Sequence, residues 1–261
     1  MDFGYIISGL LVGILVGLTG VGGGSLMTPL LVFLFGFKPA VAVGTDLLFA
    51  AITKSGGVLV HHGKHQSVEW RIVGLLSLGS LPAAIITVLV LRHLAAIGKE
   101  ITGLITFSLG IAVILTALAL LLRSILQKKG REAEQHAPSR FHHLQAPATV
   151  LIGAVIGALV TLSSVGAGVL GTVALIYLYP RMPTLKIVGT DLAHAIPLTT
   201  VAGFGHLTMG HVNFVLLGSL LVGSLPGIWI GSHLSAKISE NVLRNTLASV
   251  LLIIGLKFVL Q

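Results

Sequence analysis

The chain has 261 residues, of which 54% are hydrophobic and only 9% charged, with a mean hydropathy of +1.02 and a formal net charge of +8. A soluble domain carries about 25% charged residues, so this composition cannot cover a globular surface in water and points to a polytopic membrane protein. The positive charge is clustered, which argues against nucleic acid as a partner, and the absence of cysteine excludes disulfides, thiolate metal sites and cysteine nucleophiles.

Met1 and Asp2 lead straight into an apolar run without a basic flank, so no cleavable leader is expected. The run extends from about Phe3 to Phe37. A straight helix of that length would reach roughly 50 Å, against a hydrocarbon thickness of about 30 Å. It must tilt, break or turn back. The run Thr19-Gly20-Val21-Gly22-Gly23-Gly24-Ser25, with Pro29 beyond it, marks the place. Apolar segments follow at about Ala40–Val60, Arg71–Leu91 and Ile101–Leu122. The hydrophilic stretch Arg123–Pro147 reads as a solvated linker, and Arg123, Lys128, Lys129, Arg131 and Arg140 assign it to the cytoplasm. The second half repeats the plan. Thr149–Tyr179 is interrupted at Ser163-Ser164-Val165-Gly166-Ala167-Gly168, and Ile187–Thr208, Phe214–His233 and Asn241–Leu260 follow. The predicted fold is all-α and polytopic, with about eight hydrophobic segments. Residues 1–122 and 148–261 form two pseudo-symmetric membrane repeats, joined by a basic cytoplasmic linker at 123–147.

Four motifs carry the repeat. Gly13-x-x-x-Gly17 is matched with Gly153-x-x-x-Gly157, and Val21-Gly22-Gly23-Gly24 with Val165-Gly166-Ala167-Gly168. Val43-Gly44-Thr45-Asp46-Leu47 matches Val188-Gly189-Thr190-Asp191-Leu192, and Gly79-Ser80-Leu81-Pro82 matches Gly223-Ser224-Leu225-Pro226. Broken helices at equivalent places in two halves are a signature of secondary transporters. If each long first segment spans once, the halves are parallel; if each turns back, they are inverted. Inversion is favoured, because it also puts Arg181, Lys186, Lys237 and Arg244 on the cytoplasmic side.

The chemistry-bearing residues fall in the same motifs. Interrupted backbone inside a bilayer is tolerated only within protein or beside a water-filled cavity. A half-helix starting at Gly22, Gly23 and Gly24, or at Gly166, Ala167 and Gly168, would aim its amides at an anion. Gly9, Gly13 and Gly17 read instead as helix-packing residues. Asp46 and Asp191 are candidate coupling sites for a proton or sodium, with a scaffold or helix-cap role as the alternative. Lys54 could supply positive charge to a substrate or snorkel to the interface. His194 could relay protons or bond to Asp191. His61, His62, His65, His206 and His211 read as interfacial, Trp70 and Trp229 as interface anchors. No metal, cofactor or enzymatic motif is recognised, so the chain reads as a non-enzyme.

Gly17–Ser25 with Pro29, Val43–Leu47 with Ala51-Ile-Thr-Lys54, Val188–Leu192 with His194-Ala-Ile-Pro197-Leu198, and Gly223–Gly227 together resemble the TauE/SafE family of sulfite-exporter-like membrane proteins, in its Gly-Thr-Asp-Leu branch. The resemblance covers essentially the whole chain. It implies a transporter of small sulfur-containing anions such as sulfite, sulfonate or thiosulfate, coupled to an ion gradient, in a bacterial inner membrane. It also implies that the Gly-rich breaks and the Gly-Thr-Asp segments, with Thr45 and Thr190, flank the substrate path. Ala167 departs from the pattern, where a glycine is usual. A passive channel and a non-transporting membrane subunit are the rival readings. The Gly227–Gly231 face would serve a homodimer or internal packing.

Overall fold

The computed structural model describes residues 3–19, 24–136, 138–235 and 240–260. Every regular element among them is an α-helix: α1 (Phe3–Thr19), α2 (Gly24–Phe35), α3 (Pro39–His65), α4 (Trp70–Ala96), α5 (Thr102–His136), α6 (Pro138–Ser163), α7 (Val169–Leu178), α8 (Thr184–Thr208), α9 (Phe214–Ser235) and α10 (Glu240–Val259). Five described stretches are long and apolar enough to cross a bilayer: Trp70–Ala96, Thr102–Glu132, His143–Ser163, Thr184–Thr208 and Phe214–Gly231. Large apolar side chains such as Leu78, Leu151, Trp229 and Ile253 face outward, while Thr45, Asp46, Asp191 and His194 are buried. An apolar exterior is what lipid requires, and polar residues within membrane helices are turned to the protein interior.

The long first segment of each half is two helices that return on themselves. The Gln145 amide donates to the carbonyl of Leu178 at 2.7 Å, and Thr149 Oγ1 lies 2.9 Å from Tyr179 Oη, so α7 ends back against the N-terminal half of α6. In the first half Tyr5 packs on Phe35 and Phe37, with ring centroids 6.0 and 5.5 Å apart, and closes α1 on α2 in the same way. The turn between α6 and α7 needs glycine. Gly166 and Gly168 have φ of 113° and 146°, which side chains rarely adopt.

The halves are interlocked. α1 packs along α9, and α6 along α4, so the first helix of each half lies on the fourth helix of the other. Both pairs run parallel and are sealed by glycine. A Cβ at Gly9 would lie 2.7 Å from the Leu220 carbonyl oxygen, and one at Gly13 would lie 2.4 Å from that of Ser224. In the other pair, Gly153 meets Leu76 O and Gly157 meets Ser80 O, each at 2.3 Å. These contacts correct the matching made from sequence. Gly9 and Gly13, not Gly13 and Gly17, are the counterparts of Gly153 and Gly157. The counterparts α3 and α8 cross antiparallel, with Gly203 against Leu48 and Gly189 against Ser67. The counterparts α5 and α10 also run antiparallel, with Gly110 against Phe258 and Gly255 against Ile114.

The stretch expected to be a solvated linker is helical. α5 continues to His136 and α6 begins at Pro138, so the boundaries at 122 and 148 fall inside helices. Its Lys, Arg, Glu, Gln and Ala residues are good helix formers. Gly130 is buried in this extension, where a Cβ would sit 2.4 Å from the Tyr177 carbonyl oxygen. Lys128, Lys129 and Arg131 remain exposed.

Candidate functional site: a polar cluster at the broken hairpin

Each letter of the repeated Gly-Thr-Asp motif does a separate job, the same in both halves. The glycine admits the backbone of the other half. A Cβ at Gly44 would lie 2.2 Å from His211 O, and one at Gly189 2.6 Å from Ser67 O. The threonine hydroxyl accepts a backbone N–H at the head of a helix from the other half. Thr45 Oγ1 accepts from Asn213 N at 3.1 Å, before α9, and Thr190 Oγ1 accepts from Glu69 N at 3.0 Å, before α4. The aspartate turns to the short helix of its own half. Thr28 Oγ1 donates to Asp46 Oδ2 at 2.6 Å, and Thr172 Oγ1 to Asp191 Oδ2 at 3.1 Å.

Neither aspartate caps a helix, contrary to that alternative. α3 begins at Pro39 and α8 at Thr184, so both carboxylates sit about two turns inside. Thr45→Val and Thr190→Val each remove a hydrogen bond that anchors one half to the other. Each is expected to cost about 1 kcal/mol, read as a lowered thermal unfolding midpoint of the detergent-solubilised protein. An unchanged midpoint in both would show that these bonds carry no stability.

Lys54 breaks the symmetry. It comes from the middle of α3, is 5% exposed, and donates its ammonium to the carbonyl of Ala167 inside the α6–α7 turn. It lies within electrostatic reach of both Asp46 and Asp191, and Ser164 of the turn faces Asp46. The lysine does not snorkel. One carboxylate oxygen of each aspartate, the Ser164 hydroxyl and His194 Nδ1 are buried without a hydrogen-bond partner. His194 is fully buried, and its Nε2 lies 2.8 Å from Ser80 Oγ rather than against Asp191. The counterparts of Lys54 and His194 in the opposite halves are Thr199 and Phe49.

Of the residues singled out by sequence, the fold brings Asp46, Lys54, Ala167, Asp191 and His194 together. Gly166 and Gly168 shape the turn that presents the Ala167 carbonyl. Thr45 and Thr190 hold the two halves instead of facing this cluster. Gly22 and Gly23 lie outside the described residues, and Gly24 is the first residue of α2. Sequence reasoning missed Thr28, Thr172 and Ser80. The first two stand at equivalent places one turn past each glycine run, and Ser80 is in the repeated Gly-Ser-Leu-Pro, so the signal was present.

His206 is not interfacial but fully buried, its Nε2 2.9 Å from the Thr161 carbonyl oxygen and its ring 5.5 Å from that of His211. Half-buried His211, in the α8–α9 connection, is held below the usual histidine range by desolvation. Trp70 and Trp229 are exposed, as interface anchors would be. No group of three or more histidines, aspartates or glutamates with metal-binding geometry occurs among the described residues.

Two interlocked helical repeats with outward apolar surface, paired helical hairpins and a buried cluster of charged residues define a polytopic membrane protein. The profile of the family described as "Sulfite exporter TauE/SafE" matches residues 5–258, and the chain belongs to that family. It is 40% identical to a probable membrane transporter protein, YjnA, of Bacillus subtilis, over 99% of this chain and all of the relative. It is 27% identical to YdhB of the same organism, over 91% of both chains, and to MJ0441 of Methanocaldococcus jannaschii, over 96% of this chain and 92% of that one. Both are also described as probable membrane transporter proteins. No solved structure matches the chain.

Proposed function

We propose that the protein is a secondary transporter of small anions, sulfur-containing ones such as sulfite, thiosulfate or a sulfonate, acting in the cell membrane. The observation that carries this reading is the Lys54 ammonium, buried at the backbone break between two carboxylates. A buried charge in a membrane helix is expensive and marks a pathway more often than a scaffold. When an anion enters, Lys54 can exchange the Ala167 carbonyl for the substrate, and the buried Ser164 hydroxyl can add a second donor. With both carboxylates ionised against one ammonium the cluster would be one charge negative, so an incoming anion would need a companion cation. A proton on Asp46 or Asp191 is the smallest that serves, which supports gradient coupling.

Inverted repeats fit the same reading. A two-fold axis along the membrane normal would leave equivalent helices parallel, whereas α3 and α8, and α5 and α10, run antiparallel. Arg131 and Arg181 line one cavity, and Lys186 pairs with Glu69, which groups these basic residues on one face and supports a cytoplasmic assignment for it. The test is uptake of labelled sulfite, sulfate, thiosulfate and a small sulfonate into liposomes holding the purified protein, with and without a proton gradient. Gradient-driven accumulation of one anion is expected. Equilibration without accumulation would make it a channel, and no flux of any of the four in folded protein would remove the sulfur assignment.

A further inference from the structure

His194 is fully buried on α8 and lies within electrostatic reach of the Lys54 ammonium, and its Nδ1 has no hydrogen-bond partner. Packing alone does not call for an imidazole at this place, because the counterpart in the other half is Phe49, a hydrocarbon ring only 2% exposed. The matching serines differ too. Ser224 turns back on its own helix, to the Leu221 carbonyl oxygen at 3.4 Å, whereas Ser80 Oγ lies 2.8 Å from His194 Nε2. That hydrogen bond sets the imidazole tautomer. Among the described residues the Ser80 hydroxyl has no other partner, so its proton goes to Nε2 or to nothing. With Ser80 donating, Nε2 accepts and Nδ1 carries the hydrogen. The reverse assignment leaves two groups unmet, the hydroxyl proton and the Nδ1 lone pair, in place of one. Nδ1 is therefore an N–H without an acceptor, in a setting where burial makes an unmet donor costly.

We infer that His194 is a substrate-binding residue, the third donor of the anion site, and that this site takes the three-oxygen face of a sulfonate-type group. The inference rests on the anion site proposed above. Lys54 has ammonium hydrogens beyond the one given to Ala167, Ser164 has a buried hydroxyl without a hydrogen-bond partner, and His194 has its N–H. Three donors match three oxygens on one centre, which sulfite, thiosulfate and sulfonates all present. A carboxylate brings two oxygens and would leave a buried donor unmet, the situation in which a polar site discriminates most strongly. Ser80 acts on the substrate through His194 and is a positioning residue, holding the hydrogen on Nδ1.

The experiment titrates the full-length protein in neutral detergent with methanesulfonate and with acetate, two monoanions built on a methyl group, by isothermal titration calorimetry. The wild type is expected to bind methanesulfonate at least about tenfold more tightly than acetate. His194→Phe installs the ring of the counterpart position. It should weaken methanesulfonate by about 10- to 100-fold and acetate much less, so that the preference collapses. His194→Asn sets an amide N–H near the place of Nδ1 and should restore most of the preference. Ser80→Ala releases the tautomer and should lower the preference severalfold, and it carries the test if His194→Phe does not fold. An unchanged preference in either folded variant, or one lost in His194→Asn as fully as in His194→Phe, overturns the role of His194 and leaves the anion site standing. Equal binding of the two anions by the wild type overturns the three-oxygen match. Binding of neither anion by the wild type overturns the anion site itself, and this inference with it.

Discussion

Lys54→Met is expected to bring anion flux down to the level of protein-free vesicles while the protein still inserts. Methionine keeps the apolar stem and removes the ammonium. Asp46 and Asp191 then lose the cation that acts on both, and the Ala167 carbonyl loses its donor. Buried carboxylates left without a compensating cation are costly, so the unfolding midpoint should fall too. Adding Asp191→Asn separates the two effects. The double variant removes the unmatched charge and should regain much of the stability, yet remain without flux. Wild-type flux in folded Lys54→Met protein would take the lysine out of the transport mechanism.

The second large effect is expected at the parallel helix crossings. A Cβ at Gly79 would lie 1.9 Å from the Val150 carbonyl oxygen, and one at its counterpart Gly223 would lie 2.0 Å from that of Ile6. Backbone cannot yield as a side-chain tip can, so alanine at either position must push two helices apart. Overpacking of this kind costs about 1–3 kcal/mol, and the two variants should lose similar amounts because their surroundings are related by the repeat. Gly74→Ala is the control on the same helix. Nothing lies within 4 Å of a Cβ there, so it should be neutral or stabilising by up to about 1 kcal/mol. Equal midpoints for all three variants in detergent would show that close packing at the crossings is unimportant.

The sequence made the repeat, the two breaks and the polar residues legible, because all three are local. Val-Gly-Thr-Asp-Leu appears twice and can be found without any knowledge of space. What the motif does could not be read, since Gly44 answers to His211 and Thr190 to Glu69, residues more than a hundred positions away. The glycine matching went astray for a related reason. Gly9, Gly13 and Gly17 share one spacing, and only the partner carbonyls of α9 decide which of them are equivalent to Gly153 and Gly157. The hydrophilic stretch reads as a linker from its mixed charges, histidines and two prolines, although many of its residues favour helix and Gly130 fits beneath Tyr177.

The exchange of first helices also sets an order of events during synthesis. α1 leaves the ribosome first, and its matching surface on α9 follows roughly 200 residues later. At a translation rate of about 5–20 residues per second, that is an interval of about 10–40 seconds. Through it, Gly9 and Gly13 have no carbonyl ridge to receive them. α4 waits far less, because α6 is the second helix after it. The α4–α6 clasp therefore closes first and the α1–α9 clasp last. A nascent chain stopped before Phe214 would hold a completed α4–α6 clasp and would still lack the α1–α9 clasp.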